Sequence, residues 1–181
     1  MIKKIVIGAS AGGPDTLKKI FDIKEELKIP VVLAMHNLSS QVENFKDFIE
    51  DFTKQKVYII NNITSLNAGI YIPEGGKDII FVNENTISAV DSQDIIAPSI
   101  NHLFKSCESF VNDDFYFILL GGLGQDGTNG LKVLEKKNAN IYIQKRAKFP
   151  YMTNAAMRSL KRYNKLDIEG IKNLILKINR G

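Results

Sequence analysis

Hydrophobic residues follow two different periodicities along the chain. Short runs rich in β-branched residues predict buried strands, and segments with an apolar residue every three or four positions predict amphipathic helices. Strands are predicted at residues 4–8, 31–35, 57–60, 115–120 and 141–143. Helices are predicted from Pro14, behind Ser40, from Pro98 and Ser99, through Leu131 and Leu134, and at about 152–162 and 168–178. This alternation predicts an α/β fold, a doubly wound and mostly parallel sheet with helices on both faces.

The middle of the chain departs from this alternation. Residues 69–73, 78–82 and 86–90 are three short apolar runs joined by turn residues. The loops at 73–76 and 83–85 are typical of hairpins, so we predict an antiparallel hairpin excursion at about residues 69–90. Upstream, Ser40 and Glu43 have the spacing of a capping box, which predicts a helix start at Ser40.

Length and composition are those of one globular domain, which we place at residues 1–181. Of the 181 residues, 44% are hydrophobic and 24% are charged, which excludes a disordered, collagenous or disulfide-rich protein. The single cysteine, Cys107, cannot form an intramolecular disulfide and is expected in the core. No apolar run approaches the roughly 18 residues of a membrane helix, and the apolar start is too short for a signal peptide. We therefore expect a cytoplasmic protein that does not insert into a membrane.

Positive charge is concentrated in one part of the chain. Residues 131–166 contain ten lysines and arginines and one acid, Glu135, which gives a net charge of +9. The net charge of the whole chain is +4, so the other residues together carry −5. Such a stretch either favours an acidic partner or is simply a solvated surface. It lacks a recognised nucleic-acid-binding motif, so we expect no nucleic-acid partner.

The loop after the first strand contains a candidate nucleophile. Residues 8–12 read Gly-Ala-Ser-Ala-Gly, a G-x-S-x-G pattern that places Ser10 on a sharp strand-to-helix turn. The helix that begins near Pro14 directs its amide end to the same place, which favours a developing oxyanion. Two other interpretations stay open, a phosphate-binding turn and a serine that caps the helix.

Two further loops carry residues that suit Ser10. His36 follows the second strand, and histidine exchanges protons near neutral pH, as a general base must. Asp126 lies in the glycine-rich loop after the strand at 115–120 and is a candidate to orient His36. Taken alone, His36 is more often bonded to a backbone carbonyl, and Asp126 is more often the N-cap of the next helix.

Considered together, the three residues favour a catalytic role over these separate structural roles. Each follows a parallel strand at its carboxyl end, so all three are expected at one edge of the sheet, the arrangement of nucleophilic acyl transfer. The chain order Ser10, His36, Asp126 differs from the Ser, Asp, His order of α/β-hydrolases. The other histidine, His102, lies off the apolar face of its helix and is expected at the surface without a catalytic role. A metal site has little support from the sequence, so none is predicted.

These motifs resemble the catalytic domain of the CheB-type chemotaxis receptor methylesterases, and the resemblance covers nearly the whole chain. It lies in residues 8–13, His36, residues 69–73 with 76–78, the Pro-Ser helix start at 98–106, and residues 124–127 with Gly130. The resemblance implies a doubly wound α/β domain that hydrolyses glutamate γ-methyl esters on the cytoplasmic helices of chemoreceptors. Some members of the family also deamidate receptor glutamines.

The resemblance also implies roles for the candidate residues. Ser10 would be the nucleophile, His36 the general acid and base, and Asp126 the acid that orients it, with no cofactor. From geometry we add the hypothesis that backbone amides near Ala11, Gly12 and Leu123 bind the oxyanion. The implied partners are methylated chemoreceptors; the sequence does not indicate an oligomeric state.

The chain departs from the family pattern at several positions. The family usually has Gln-His-Met-Pro around the histidine, where this chain has Met-His-Asn-Leu at 35–38. Leu123 replaces a common Met, and Lys145 and Arg146 stand where the family tends to have acidic residues. Full-length members usually carry an N-terminal receiver domain, whereas this chain begins at the catalytic strand. The chain is therefore either a protein without a receiver domain, which Met1 directly before the first strand favours, or a piece of a longer protein. The alternative function is a catalytically weakened pseudo-enzyme or a receptor-binding module of the same fold.

Overall fold

The computed structural model describes residues 1–36 and 38–181, and its centre is a parallel sheet of seven strands. The order across the sheet is β10-β9-β8-β1-β2-β5-β3. The strands are β1 (Lys4–Ala9), β2 (Pro30–Met35), β3 (Val57–Ile60), β5 (Gly69–Pro73), β8 (Phe115–Leu119), β9 (Asn140–Gln144) and β10 (Asn164–Leu166). Because β1 pairs in parallel with both β2 and β8, the strand order reverses at β1.

Alternate residues of the central strands supply two separate cores. In β1, Ile5 and Ile7 face one core and Val6 faces the other. The first core contains apolar residues of α1 (Gly13–Phe21), α2 (Val42–Thr53) and α6 (Ile168–Arg180). The second contains those of α3 (Ile100–Ser106), α4 (Thr128–Glu135) and α5 (Tyr151–Ser159). Strands buried on both faces explain the continuous apolar runs in the sequence and confirm the doubly wound class.

A small antiparallel sheet covers part of the second face. Its strands are β4 (Ile63–Ser65), β6 (Lys77–Asn83) and β7 (Thr86–Asp91), in the order β4-β7-β6. The predicted hairpin excursion is therefore present as β6 and β7, with its turn at 83–85. One detail of the prediction is wrong: β5 belongs to the parallel sheet between β2 and β3, so residues 73–76 connect two sheets and do not form a hairpin.

The sequence predicted correctly that α2 exists, but not the residue at which it begins. Ser40 lies in a 3₁₀ turn at Ser39–Gln41, and α2 follows with Gln41 as its N-cap. The Gln41 side chain accepts from the side chain of Asn44 and caps no backbone amide, so the predicted capping box does not form. Phe45 and Ile49 are buried as the helical periodicity predicts. Phe52 is 54% exposed, and the ammonium group of Lys18 lies 4.0 Å from the centre of its ring.

The fold places three loops side by side at the carboxyl edge of the sheet. They follow β1, β2 and β8, which are neighbours in the strand order. In open α/β sheets this edge, near the reversal of strand order, is where ligands bind. Each of the three loops carries one of the residues singled out in the sequence, Ser10, His36 and Asp126.

Candidate functional site

Ser10 lies in the tight turn that leads from β1 to α1. The amide of Gly13 donates to the carbonyl oxygen of Ser10 at 2.8 Å, and Gly12 has a φ of +80°, a left-handed conformation that favours glycine. The N-cap of α1 is Gly12, with no side-chain hydrogen bond to the helix. Ser10 is therefore not a helix-capping serine, and its hydroxyl is left for other contacts.

His36 is the contact of that hydroxyl. The Nδ1 atom of His36 lies 3.0 Å from Ser10 Oγ, and the Nε2 atom lies 2.7 Å from Asp126 Oδ2. The backbone amide of His36 also donates to Ala9 at 3.0 Å, which fixes the residue against β1. Both ring nitrogens are thus engaged by side chains, which excludes the interpretation in which His36 only bonds a backbone carbonyl.

The network fixes the tautomer of the imidazole. A carboxylate can only accept, so Nε2 carries the proton that is donated to Asp126, and Nδ1 is left as an acceptor for the Ser10 hydroxyl. Ser10 and His36 are only 5% and 4% exposed. A base held in the accepting tautomer and shielded from water is well placed to remove the proton of Ser10.

Asp126 was expected to cap α4, but it is held by the first turn of α3. The N-cap of α4 is Gly127, whereas Asp126 accepts the amides of Ile100 at 2.8 Å and Asn101 at 2.9 Å, in the first turn of α3. Burial raises the pKa of the Asp126 carboxyl, but the hydrogen bonds from His36, Ile100 and Asn101 lower it by more. Its pKa therefore lies below the ordinary value, and Asp126 is ionised at neutral pH.

Asn101, which the sequence did not single out, joins this arrangement to α4. Its side-chain oxygen accepts from the backbone amides of Gly127 at 3.1 Å and Gly130 at 2.8 Å, while its backbone amide donates to Asp126. The loop that contains Asp126 is thus braced on both sides. No spacing in the sequence indicates this, because α3 and α4 meet only in the folded chain.

Gly122 approaches Ser10 too closely to carry a side chain. A Cβ atom at Gly122 would lie 2.4 Å from Ser10 Cβ and 3.1 Å from Met152 Cε. The amide of Gly122 donates to the carbonyl oxygen of Phe149 at 2.8 Å. The close approach of Gly122 to Ser10 packs the loop after β8 directly against the turn that contains Ser10.

The three predicted oxyanion donors differ from Gly122 in that their amides find no acceptor among the described residues. In the described ranges 1–36 and 38–181, none of the amides of Ala11, Gly12 and Leu123 donates a hydrogen bond. All three residues belong to the two loops that meet at Ser10. They remain candidates to bind an oxyanion, with their roles still a prediction.

An open cleft of about 510 Å³ leads to the His36–Asp126 pair. Leu123, Gly124 and Gln125 line one part of it, and Ile95 and Ile96 line another. Ile95 is fully exposed, and Leu123 and Ile96 are each more than half exposed. Exposed apolar side chains beside a polar site are typical of a surface that binds another molecule.

The remaining candidate residues are separate from this cluster. His102 is 44% exposed at its side chain and bonds Asp78 at 2.7 Å through Nδ1, on α3. Cys107 is buried, as predicted, and burial raises the pKa of its thiol. Over residues 1–36 and 38–181, the structure holds no cluster of three metal-ligating side chains and no helix both long and apolar enough to cross a membrane. Asn37, part of the departure around His36, lies outside the described residues.

Fold and site together define a class, that of doubly wound α/β proteins with a hydrogen-bonded Ser-His-Asp group at the carboxyl edge of the sheet. The particular family follows from comparison with known proteins. The sequence model of the CheB methylesterase family matches residues 5–175 of this chain. The chain therefore belongs to the CheB methylesterase family, as its motifs indicated.

Curated relatives and a solved structure agree with this assignment. The chain is 30% identical to a protein-glutamate methylesterase/protein-glutamine glutaminase of Saccharophagus degradans, over 80% of this chain and 41% of that protein. It is 26% identical to one of Clostridium acetobutylicum, over 99% of this chain and 54% of that protein. The chain thus spans about half or less of these relatives. The catalytic domain of CheB methylesterase from Thermotoga maritima has the same fold, with a TM-score of 0.85 at 16% identity, over 98% of this chain and 99% of that domain.

Proposed function

We propose that this protein is a serine hydrolase that demethylates glutamate γ-methyl esters on the cytoplasmic helices of chemoreceptors. The observation that carries the proposal is the chain of hydrogen bonds from Ser10 through His36 to Asp126 in a member of the CheB methylesterase family. Its relatives are named for methylesterase and glutaminase activity, and both reactions transfer a glutamyl acyl group. The site of action would be the cytoplasm.

The first half of the reaction forms an acyl-enzyme. His36 Nδ1 takes the proton of Ser10 as Oγ attacks the ester carbonyl carbon, and the imidazolium is stabilised by the Asp126 carboxylate. The tetrahedral intermediate collapses when the bond to the methoxy oxygen breaks. The proton held at Nδ1 passes to that oxygen, so methanol leaves and the glutamyl group stays on Ser10.

The second half releases the receptor carboxylate. His36 Nδ1 takes a proton from water as the water oxygen attacks the acyl carbon. The bond between the acyl carbon and Ser10 Oγ then breaks, and Oγ receives that proton from Nδ1. The amides of Ala11, Gly12 and Leu123 would hold the oxyanion in both halves. One such donor is worth about 10²–10³-fold in rate. No step needs a cofactor.

One variant of this function depends on the substrate. With a glutamine side chain the same steps would release ammonia in place of methanol, which is deamidation. The alternative is a receptor-binding module with weakened chemistry, which the unusual residues around His36 keep open. The intact hydrogen bonds of His36 favour the enzyme.

Methanol release from methylated receptor membranes tests the proposal. We expect the purified protein to release methanol and to convert the methyl esters to carboxylates, which mass spectrometry of receptor peptides detects. Membranes with unmethylated receptors serve as the control and should yield no methanol. Receptor binding without methanol release would support the binding module instead.

A further inference from the structure

Helix α5 begins directly beside the nucleophile. The amide of Met152, in its first turn, donates to the carbonyl oxygen of Gly122 at 3.0 Å, and Gly122 is the residue packed against Ser10. Tyr151, the first residue of α5, is 62% exposed. The start of this helix is therefore held at the reaction centre, and the helix leads away from it.

One face of α5 lines a cleft that continues from the site. The cleft has a volume of about 330 Å³, and its α5 residues are Tyr151, Asn154, Ala155 and Arg158. These positions have the i, i+3, i+4, i+7 spacing of one helical face. Gly124 and Gln125 form the opposite wall and also line the cleft at His36 and Asp126, so the two clefts meet at this loop.

The two ends of this face are separated by a fixed distance along the helix axis. A helix rises 1.5 Å per residue, so Arg158 lies about 10 Å along the axis from Tyr151, which is two helical turns. A second helix laid along α5 has the same rise. Residues seven positions apart on that second helix would therefore match the separation of Tyr151 and Arg158.

Charge at the far end of the cleft favours an anion. Arg158 and Lys132 are exposed, and among the described residues neither forms a salt bridge. Lys132 lines a neighbouring cleft that also contains Ser159, the residue after Arg158. In the part of the chain that the structure describes, no acid lines the α5 cleft. Asp94 and Asp126 lie in the cleft at His36. Asp126 also lines the cleft that contains Lys132, but His36 and backbone amides of α3 already bind its carboxylate. The α5 side of the site is thus positive and suits a carboxylate.

We infer that this α5 face binds an acidic helical segment of the protein substrate, and that Arg158 pairs with a substrate carboxylate two helical turns from the scissile ester. The exposed ring of Tyr151 packs on the segment next to the ester, and the guanidinium group of Arg158 holds the segment in register. The inference rests on the proposed function, because that function places a glutamate ester at Ser10.

Binding of unreactive peptides tests this without requiring chemistry. Stapled helical peptides carry norleucine in place of the esterified glutamate, with glutamate or glutamine seven positions before or after it. Fluorescence anisotropy then compares the wild type with Arg158→Gln. Lys177→Gln is the matched control, since it removes one positive charge from α6, on the opposite face of the sheet.

We expect the wild type and Lys177→Gln to bind one of the two glutamate peptides roughly 2- to 5-fold more tightly than its glutamine counterpart, the range of an exposed ion pair. Arg158→Gln should lose that preference. The inference is overturned if Arg158→Gln keeps the preference, if neither glutamate peptide is preferred, or if glutamate five positions away gives the same gain.

A competition experiment separates this substrate from other polyanions. If a single-stranded oligonucleotide displaces the peptide as effectively as unlabelled glutamate peptide, the surface attracts any polyanion and the inference is wrong. A glutamate preference that depends on Arg158 in a protein that releases no methanol would support the binding surface and overturn the proposed function. The two failures are therefore distinguishable.

Discussion

Replacing Ser10 with alanine is expected to lower kcat for methanol release by about 10⁴-fold or more. The substitution removes the oxygen that attacks the ester, and His36 Nδ1 is left without its hydroxyl partner. The methyl group of alanine fits the same space, but the buried Nδ1 atom loses its hydrogen-bond partner, so the free energy of unfolding should fall by about 1–3 kcal/mol. Single-turnover methanol release and urea unfolding measure the two quantities.

Ser65→Ala is a matched control for this variant. Ser65 is an exposed residue of β4, in the small antiparallel sheet, so the same chemical change there should leave both rate and stability unchanged. Methanol release by Ser10→Ala at a rate within tenfold of the wild type would rule out Ser10 as the nucleophile.

Replacing Asp126 with asparagine is expected to lower kcat by about 10²–10⁴-fold. Oδ2 accepts from His36 and from the amide of Ile100, and Oδ1 accepts from the amides of Asn101 and Gly127. An asparagine would turn its NH₂ group toward a donor in either orientation. If that group faces His36 Nε2, the imidazole is held in the tautomer that protonates Nδ1 and cannot accept from Ser10.

The same variant should change how stability depends on pH. Because the folded state lowers the pKa of Asp126, ionisation of this carboxyl stabilises the fold above its unfolded pKa, and the contribution is lost as pH falls through the folded pKa. The difference in unfolding free energy between wild type and Asp126→Asn should therefore be largest near neutral pH and shrink in acid. A difference that grows as pH falls would contradict the assigned hydrogen bonds.

The sequence was sufficient to predict that Ser10, His36 and Asp126 lie together at one edge of the sheet. Ser10, His36 and Asp126 each follow a buried parallel strand, and the strand pattern is strong because both faces of the sheet are covered. Parallel strands end at a common edge, so three loops that are distant in sequence could be placed together.

What the sequence did not predict depends on contacts between distant segments. Asp126 is anchored by α3, and Asn101 bridges α3 to α4; neither contact has a local signal. Strands β4 and β10 have three residues each and little buried apolar surface, so hydrophobic periodicity did not reveal them. The placement of β5 within the parallel sheet required knowledge of its partners, β2 and β3.

Trapping with hydroxylamine tests most directly whether Ser10 takes up the glutamyl group. Hydroxylamine added to methylated receptors and the wild-type protein competes with water for the acyl-enzyme. We expect receptor glutamate hydroxamates, detected by mass spectrometry, at the esters that are hydrolysed in water, and none above background with Ser10→Ala. Methanol release by the wild type without hydroxamate, or equal hydroxamate from Ser10→Ala, would contradict this role of Ser10.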